Sequence, residues 1–277
     1  MQPYRFRILV LFIVCMLPYN VLRADVLVLV HGWAANADTW IQSGVLPVLE
    51  TQGWQNEGVV TSTPQGVRYF PAAYPSPSRQ RVYRVDLPAN APLLLQASHL
   101  TSQLAFIQAR HPDEALTLAG HSAGGVVARL VAIRPDYVRI KSLITIAAPN
   151  LGTPRALDGL DVVESKPFFC PGPGIDFLKT MLGGEEYQYL RSSRGAMMDL
   201  TPVTAGTMLG WLNQQVHPDI QYHAVIRTGN DDLVPMNSQD LNQVPSLRGR
   251  ARVYLTPAAH GLNPADGKLL ADILAHS

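Results

Sequence analysis

The 277-residue chain carries 22 Lys and Arg against 21 Asp and Glu, a formal net charge of +1, with 47% hydrophobic and 8% aromatic residues. That apolar content suffices for a large core and argues against disorder. The near-neutral charge, with no basic block, argues against a nucleic-acid partner.

Residues 1–24 have the layout of a secretory signal peptide. Arg5 and Arg7 stand without an acid, Ile8 to Leu17 is an unbroken apolar run, Pro18 breaks it, and Ala24 offers a small residue for cleavage. The run is too short for a relaxed bilayer span, which needs about 20 residues. Cleavage after Ala24 predicts a secreted or periplasmic protein. Losing Arg5, Arg7 and Arg23 takes the basic count from 22 to 19 against 21 acids, a net of −2. Cys15 would leave as well, so Cys170 has no partner for an intrachain disulfide.

Val26-Leu27-Val28-Leu29-Val30 then reads as a strand buried on both faces, ended by His31-Gly32-Trp33. Residues 38–53 carry helical apolar spacing, with Pro47 perturbing the middle. Residues 55–80, with prolines at 64, 71, 75 and 77, read as a long structure-poor loop. Further strands are predicted at Arg81–Leu87, Leu116–Ala119, Ile140–Ala147, Gln221–Thr228 and Ala251–Leu255. Helices are predicted at Leu93–Arg110, Gly124–Arg134 and from Ala265 onward. This alternation implies an α/β fold with a parallel, doubly wound sheet of about six strands. Residues 155–215 break the rhythm and read as a cap or lid inserted over the strand ends of one domain spanning 25–277.

The chemistry gathers at strand ends. Gly120-His121-Ser122-Ala123-Gly124 is a G-x-S-x-G turn between a strand and a helix, a nucleophile elbow that needs Gly120 and Gly124 to be free of side chains. A serine hydroxyl is a poor nucleophile until a base takes its proton, and the base needs an orienting carboxylate. In this kind of site the order along the chain is Ser, acid, His. His260 follows the last strand and is the best placed of eight histidines. His121 adjoins the nucleophile but suits a structural role, and His31 is better placed to shape a loop. Asp231 and Asp232 follow the preceding strand, and spacing alone does not separate them. The backbone N–H groups of Ala123 and Trp33 are the candidate oxyanion donors.

These segments resemble the α/β-hydrolase superfamily and, within it, bacterial secreted lipases and esterases. The likeness rests on Val28–Trp33, Gly120–Gly125, Ala147–Pro154, Asp231-Asp232-Leu233-Val234-Pro235 and His260. It implies Ser122 as nucleophile, His260 as base, Asp231 as acid, oxyanion donors at Trp33 and Ala123, and a lid at the inserted cap. It also implies that the superfamily's first two strands are missing. The expected activity is hydrolysis of carboxylic esters, lipid-like ones in particular, through an acyl-enzyme. The same residues would serve a thioesterase or an acyltransferase, and a non-catalytic binding protein is the remote alternative. No cofactor and no metal is expected. The expected partner is an ester or lipid small molecule, with transient contact with lipid surfaces.

Overall fold

The computed structural model describes residues 25–73, 78–134, 138–164, 184–185 and 187–276. The predicted signal peptide and the segment around Cys170 lie outside the described residues. Strand β1 (Asp25–Val30) is the centre of the sheet. It pairs in parallel with β4 (Gln80–Asp86) on one side and β5 (Leu116–His121) on the other. Beyond β5 follow β6 (Ile140–Ile146), β7 (Gln221–Arg227) and β8 (Ala251–Thr256), all parallel.

The sheet has eight strands rather than the predicted six, in the order β3-β2-β4-β1-β5-β6-β7-β8. The extra pair is an antiparallel hairpin, β2 (Gln55–Thr63) and β3 (Gly66–Pro71), inside the segment read from sequence as a loop. Pro64 and Gln65 form its turn, where a missing N–H does no harm. A bulge at Asn56–Gly58 sets the register of β2 on β4. Gly58 has φ of 110°, and a Cβ there would lie 2.1 Å from the carbonyl oxygen of Phe70. The hairpin therefore occupies the sheet edge beyond β4, built from the connection after β1 rather than from strands before it.

The β1 side chains alternate between two cores. Val26, Val28 and Val30 join the core under α3 (Leu93–Arg110) and α4 (Ala123–Ala132). Leu27 and Leu29 join the other core. That second face is covered by α1 (Thr39–Gln42), α2 (Val45–Thr51) and the C-terminal helix, with Trp40, Leu46, Leu49, Leu270 and Ile273 among its members. Such two-sided covering is why the central strand reads as an unbroken apolar run. The predicted helix over 38–53 is split at Gly44, whose φ is 79°. Pro47 causes no break, because it sits in the first turn of α2.

After β6 come α5 (Pro154–Glu164), a helical turn over 187–192, α6 (Arg194–Asp199) and α7 (Met208–Gln214). The carboxylate of Asp199 accepts the Leu93 N–H at 2.7 Å, which ties α6 to the start of α3. Leu209 and Leu212 of α7 lie in the main core. After β7 comes α8 (Met236–Gln239), and after β8 comes α9 (Pro264–Ala275), which opens on a capping box of Asn263 and Asp266.

Candidate active site

Ser122 stands where β5 turns into α4. Its backbone has φ 52° and ψ −128°, a conformation that non-glycine residues rarely adopt and that costs of order 1–3 kcal/mol. The surroundings hold it there. The Ser122 N–H donates to the Ile146 carbonyl at 2.8 Å, and its carbonyl accepts from Gly125 N–H at 3.0 Å. A Cβ on Gly120 would lie 2.6 Å from the backbone of Gly124, and one on Gly124 would lie 2.3 Å from the His31 carbonyl oxygen. Both glycines are therefore required sterically, as the turn predicts.

His260, in the loop after β8, lies with Nε2 3.0 Å from Ser122 Oγ and Nδ1 2.9 Å from Asp231 Oδ2. The Asp231 side chain is 1% exposed and that of His260 is 16% exposed. The buried carboxylate keeps its hydrogen bonds. Its Oδ1 accepts the N–H groups of Leu233 and Val234, each at 2.9 Å, and its Oδ2 accepts from Gln239 Nε2 at 3.0 Å. Of the two adjacent aspartates that spacing could not separate, Asp231 is therefore the one that meets His260. Its neighbour Asp232 instead offers its backbone carbonyl to Arg155 Nε at 2.8 Å.

His31 is buried and forms no part of this relay. Its Nδ1–H donates to the Gly32 carbonyl at 3.0 Å, and its Nε2 accepts from Leu87 N–H at 3.0 Å. Burial holds its pKa below the usual histidine value, so it locks the loop as a neutral ring. Gly32 packs so closely that a Cβ there would lie 2.9 Å from Ser122 Cβ. The loop carrying Trp33 is thus held against the serine. Ala123 opens α4, where the first N–H groups have no intrahelical acceptor.

His121 is buried beside them. Its pKa is pushed down to about 4, by burial first and by the nearby His260 second, so it too is neutral. Its Nε2–H donates to the His260 carbonyl at 2.9 Å. The structural role expected of it is thus a contact with the backbone of the loop carrying His260.

Ser122, His260 and His121 border a cavity of about 430 Å³, with Asp231 buried behind His260. Trp33, Leu190, Met197, Leu200, Leu233 and Val234 make its walls mostly apolar, and Arg155 adds a cation. Tyr189 packs against the loop that supplies the lining residues Trp33 and Ala34, its ring 5.6 Å from that of Trp33 and its hydroxyl accepting the Ala34 N–H at 3.0 Å. Thr153 donates from its hydroxyl to the Leu233 carbonyl, joining the loop after β6 to the loop of Asp231. Apolar clefts of this size with a few convergent polar groups are ordinary small-molecule sites. Among the described residues no group of three or more His, Cys, Asp or Glu could hold a metal ion, and no helix is long and apolar enough to cross a membrane. Sequence reasoning missed Gln239, Arg155 and Tyr189, whose roles arise from contacts between segments remote in the chain.

Comparisons with known proteins agree with this architecture. Residues 91–164 match the family model of the PGAP1-like alpha/beta domain, a stretch that contains Ser122 and excludes Asp231 and His260. A GPI inositol-deacylase from Debaryomyces hansenii is 36% identical over 74 residues, which is 24% of this chain and 7% of that protein. The chain therefore spans only a small part of this curated relative. Among solved structures, the mature form of a Bacillus licheniformis lipase superposes with a TM-score of 0.58 at 15% identity, covering 91% of each chain. A Listeria innocua gene product gives 0.56 at 15% identity, over 90% of this chain and 93% of that one. A lipase-esterase related protein from Clostridium acetobutylicum gives 0.55 at 11% identity, over 92% and 94%. With an eight-stranded, mostly parallel sheet and a serine elbow after its fifth strand, this chain is an α/β-hydrolase-fold protein.

Proposed function

We propose that the protein is a serine hydrolase that cleaves carboxylic esters, lipid-like esters in particular, by way of an acyl-enzyme. The observation that carries the reading is the hydrogen-bonded relay from Asp231 through His260 to Ser122 beside an apolar cavity. The deacylase and lipase named among the matches support acyl transfer as the class of reaction.

In the proposed reaction Ser122 Oγ attacks the ester carbonyl while His260 Nε2 takes its proton. Asp231 holds the Nδ1–H and stabilises the imidazolium. Three further donors, Leu233 N–H, Val234 N–H and Gln239, hold its carboxylate in place. Negative charge gathers on the former carbonyl oxygen, and the N–H groups of Trp33 and Ala123 are assigned to receive it. His260 then passes its proton to the departing alcohol. A water molecule, deprotonated by the same ring, releases the acid and restores Ser122. The apolar cavity walls favour an acyl chain over a polar group. Export through the N-terminal signal is part of the same proposal.

Ser122→Ala should abolish turnover of p-nitrophenyl esters, a loss of at least about a thousandfold, with an unchanged circular dichroism spectrum. A fluorophosphonate should label the wild type at Ser122 and leave the variant untouched. Turnover retained in the folded variant would overturn the assignment.

A further inference from the structure

Asp231 and His260 come from loops after two different strands, β7 and β8, at the edge of the sheet. Side chains of β8 are exposed there, Leu255 to 64%. Hydrogen-bond geometry between two such loops is sensitive to shifts of about 1 Å, so something must fix one loop against the other. The last residue of β7, Arg227, bonds directly to the loop of His260 and is linked to Asp231 through Gln239.

Arg227 has a completely buried side chain. Its Nη1 and Nη2 donate to the two carboxylate oxygens of Asp266 at 2.6 and 2.8 Å. Nη1 also donates to Thr256 Oγ1 at 2.9 Å, at the end of β8. Nη2 reaches the carbonyl of Gly261, the residue after His260, at 3.2 Å. The backbone N–H of the same residue donates to Gln239 Oε1 at 2.7 Å. That bond aims the Gln239 amide at Asp231 Oδ2, 3.0 Å away. One residue thus grips the loop of His260 with its side chain and, through its backbone N–H, the Gln239 amide that donates to Asp231. An apolar pair could fill the same buried space with equal or better stability, so packing does not account for an ion pair here.

We propose that Arg227 is a positioning residue that sets the distance between Asp231 and His260. This rests on the reading of Ser122, His260 and Asp231 as the reacting groups. Replacing the side chain releases the Gly261 carbonyl, while the backbone link to Gln239 persists. The base should then drift against a carboxylate that stays in place. The titratable groups facing His260 are Asp231 at 2.9 Å and His121, whose ring centre lies 5.1 Å away. A loosened Asp231 contact stabilises the imidazolium less and slows removal of the Ser122 proton.

The test uses the full chain with a fluorophosphonate and with p-nitrophenyl butyrate. The double variant R227M/D266N removes both charges together, and D266N keeps an acceptor for the Asn263 N–H. In that variant, labelling of Ser122 should slow at least about tenfold. Its kcat should fall in proportion, with KM changed less than about twofold. R227K, which keeps the charge but not the forked geometry, should lie between this variant and the wild type. A folded R227M/D266N that is labelled and turns over at the wild-type rate overturns the proposal. If the double variant does not fold, R227K decides: slower labelling supports the proposal and wild-type labelling overturns it. Failure of the wild type to be labelled at Ser122 overturns the underlying reading instead, which keeps the two failures apart.

Discussion

The Nε2–H of His121 donates to the backbone carbonyl of His260 at 2.9 Å, with the two rings 5.1 Å apart. The residue before the serine thus holds the main chain of the proposed base, while the ring of that base reaches back to the serine. His121→Leu removes the donor and frees one anchor of the loop. The expected result is about a tenfold fall in kcat, equivalent to about 1.4 kcal/mol of barrier, with KM little changed. His121→Gln keeps a donor of similar reach and should recover part of the loss. Equal kinetics for both variants and the wild type would remove the role assigned to this bond.

The elbow gives a steric prediction. A Cβ on Gly124 would lie 2.3 Å from the His31 carbonyl oxygen and 2.6 Å from that of Val30. Both are backbone atoms at the end of the central strand, so neither can move without shifting the sheet. Gly124→Ala should therefore cost about 3–5 kcal/mol and appear as a loss of soluble protein or a large drop in the urea midpoint. Gly66→Ala is the control. Its φ is 113°, but no atom lies within 4 Å of the added carbon, so only backbone strain of about 1–2 kcal/mol is expected.

Stability should decline in mild acid. His121, His217 and His223 are each pushed down to about 4, in every case by burial first. The second cause is His260 for His121, Arg129 for His217 and Arg252 for His223. The ordinary value of 6.5 applies once the chain unfolds, so between about pH 6.5 and 4 the unfolded chain binds more protons. The stabilisation is complete above that window and is lost as the pH falls through it. Each histidine contributes up to about 1.4 kcal/mol per pH unit. Urea midpoints should be steady from about pH 8 to 7 and fall steeply from about 6.5 to 4.5. A flat profile across the lower range would contradict the buried neutral rings.

The strand that sequence reveals most plainly, Val26–Val30, is buried on both faces, while β8 also reads as a strand from sequence although its side chains are largely exposed. Val26–Val30 is apolar throughout because helices cover the sheet on both sides, and in Leu116–Ala119 only Thr117 interrupts a buried apolar run. The hairpin at Gln55–Pro71 was taken for a loop because β2 mixes polar residues with a bulge glycine and β3 is an edge strand. In β3 only Val67 and Tyr69 pack inward, and Arg68 and Phe70 face out. The serine, the histidine and the acid loop were legible because short motifs carry them. The choice between Asp231 and Asp232 became visible only with Gln239 and the amides of Leu233 and Val234, contacts that no spacing encodes. Arg227 and Asp266 lie 39 residues apart and carry no motif at all.

The pairing of β1 with β4 and β5 also governs how the chain comes together. The first described strand finds its neighbours at Gln80–Asp86 and Leu116–His121, so the middle of the sheet closes only over long intervening loops. Contacts of such range slow folding and prolong the exposure of unpaired strand edges. A chain emerging from synthesis cannot finish the core of its sheet before the segment at His121 arrives, and the next residue is the strained Ser122. The strained turn at Ser122 therefore directly follows the strand that completes the centre of the sheet.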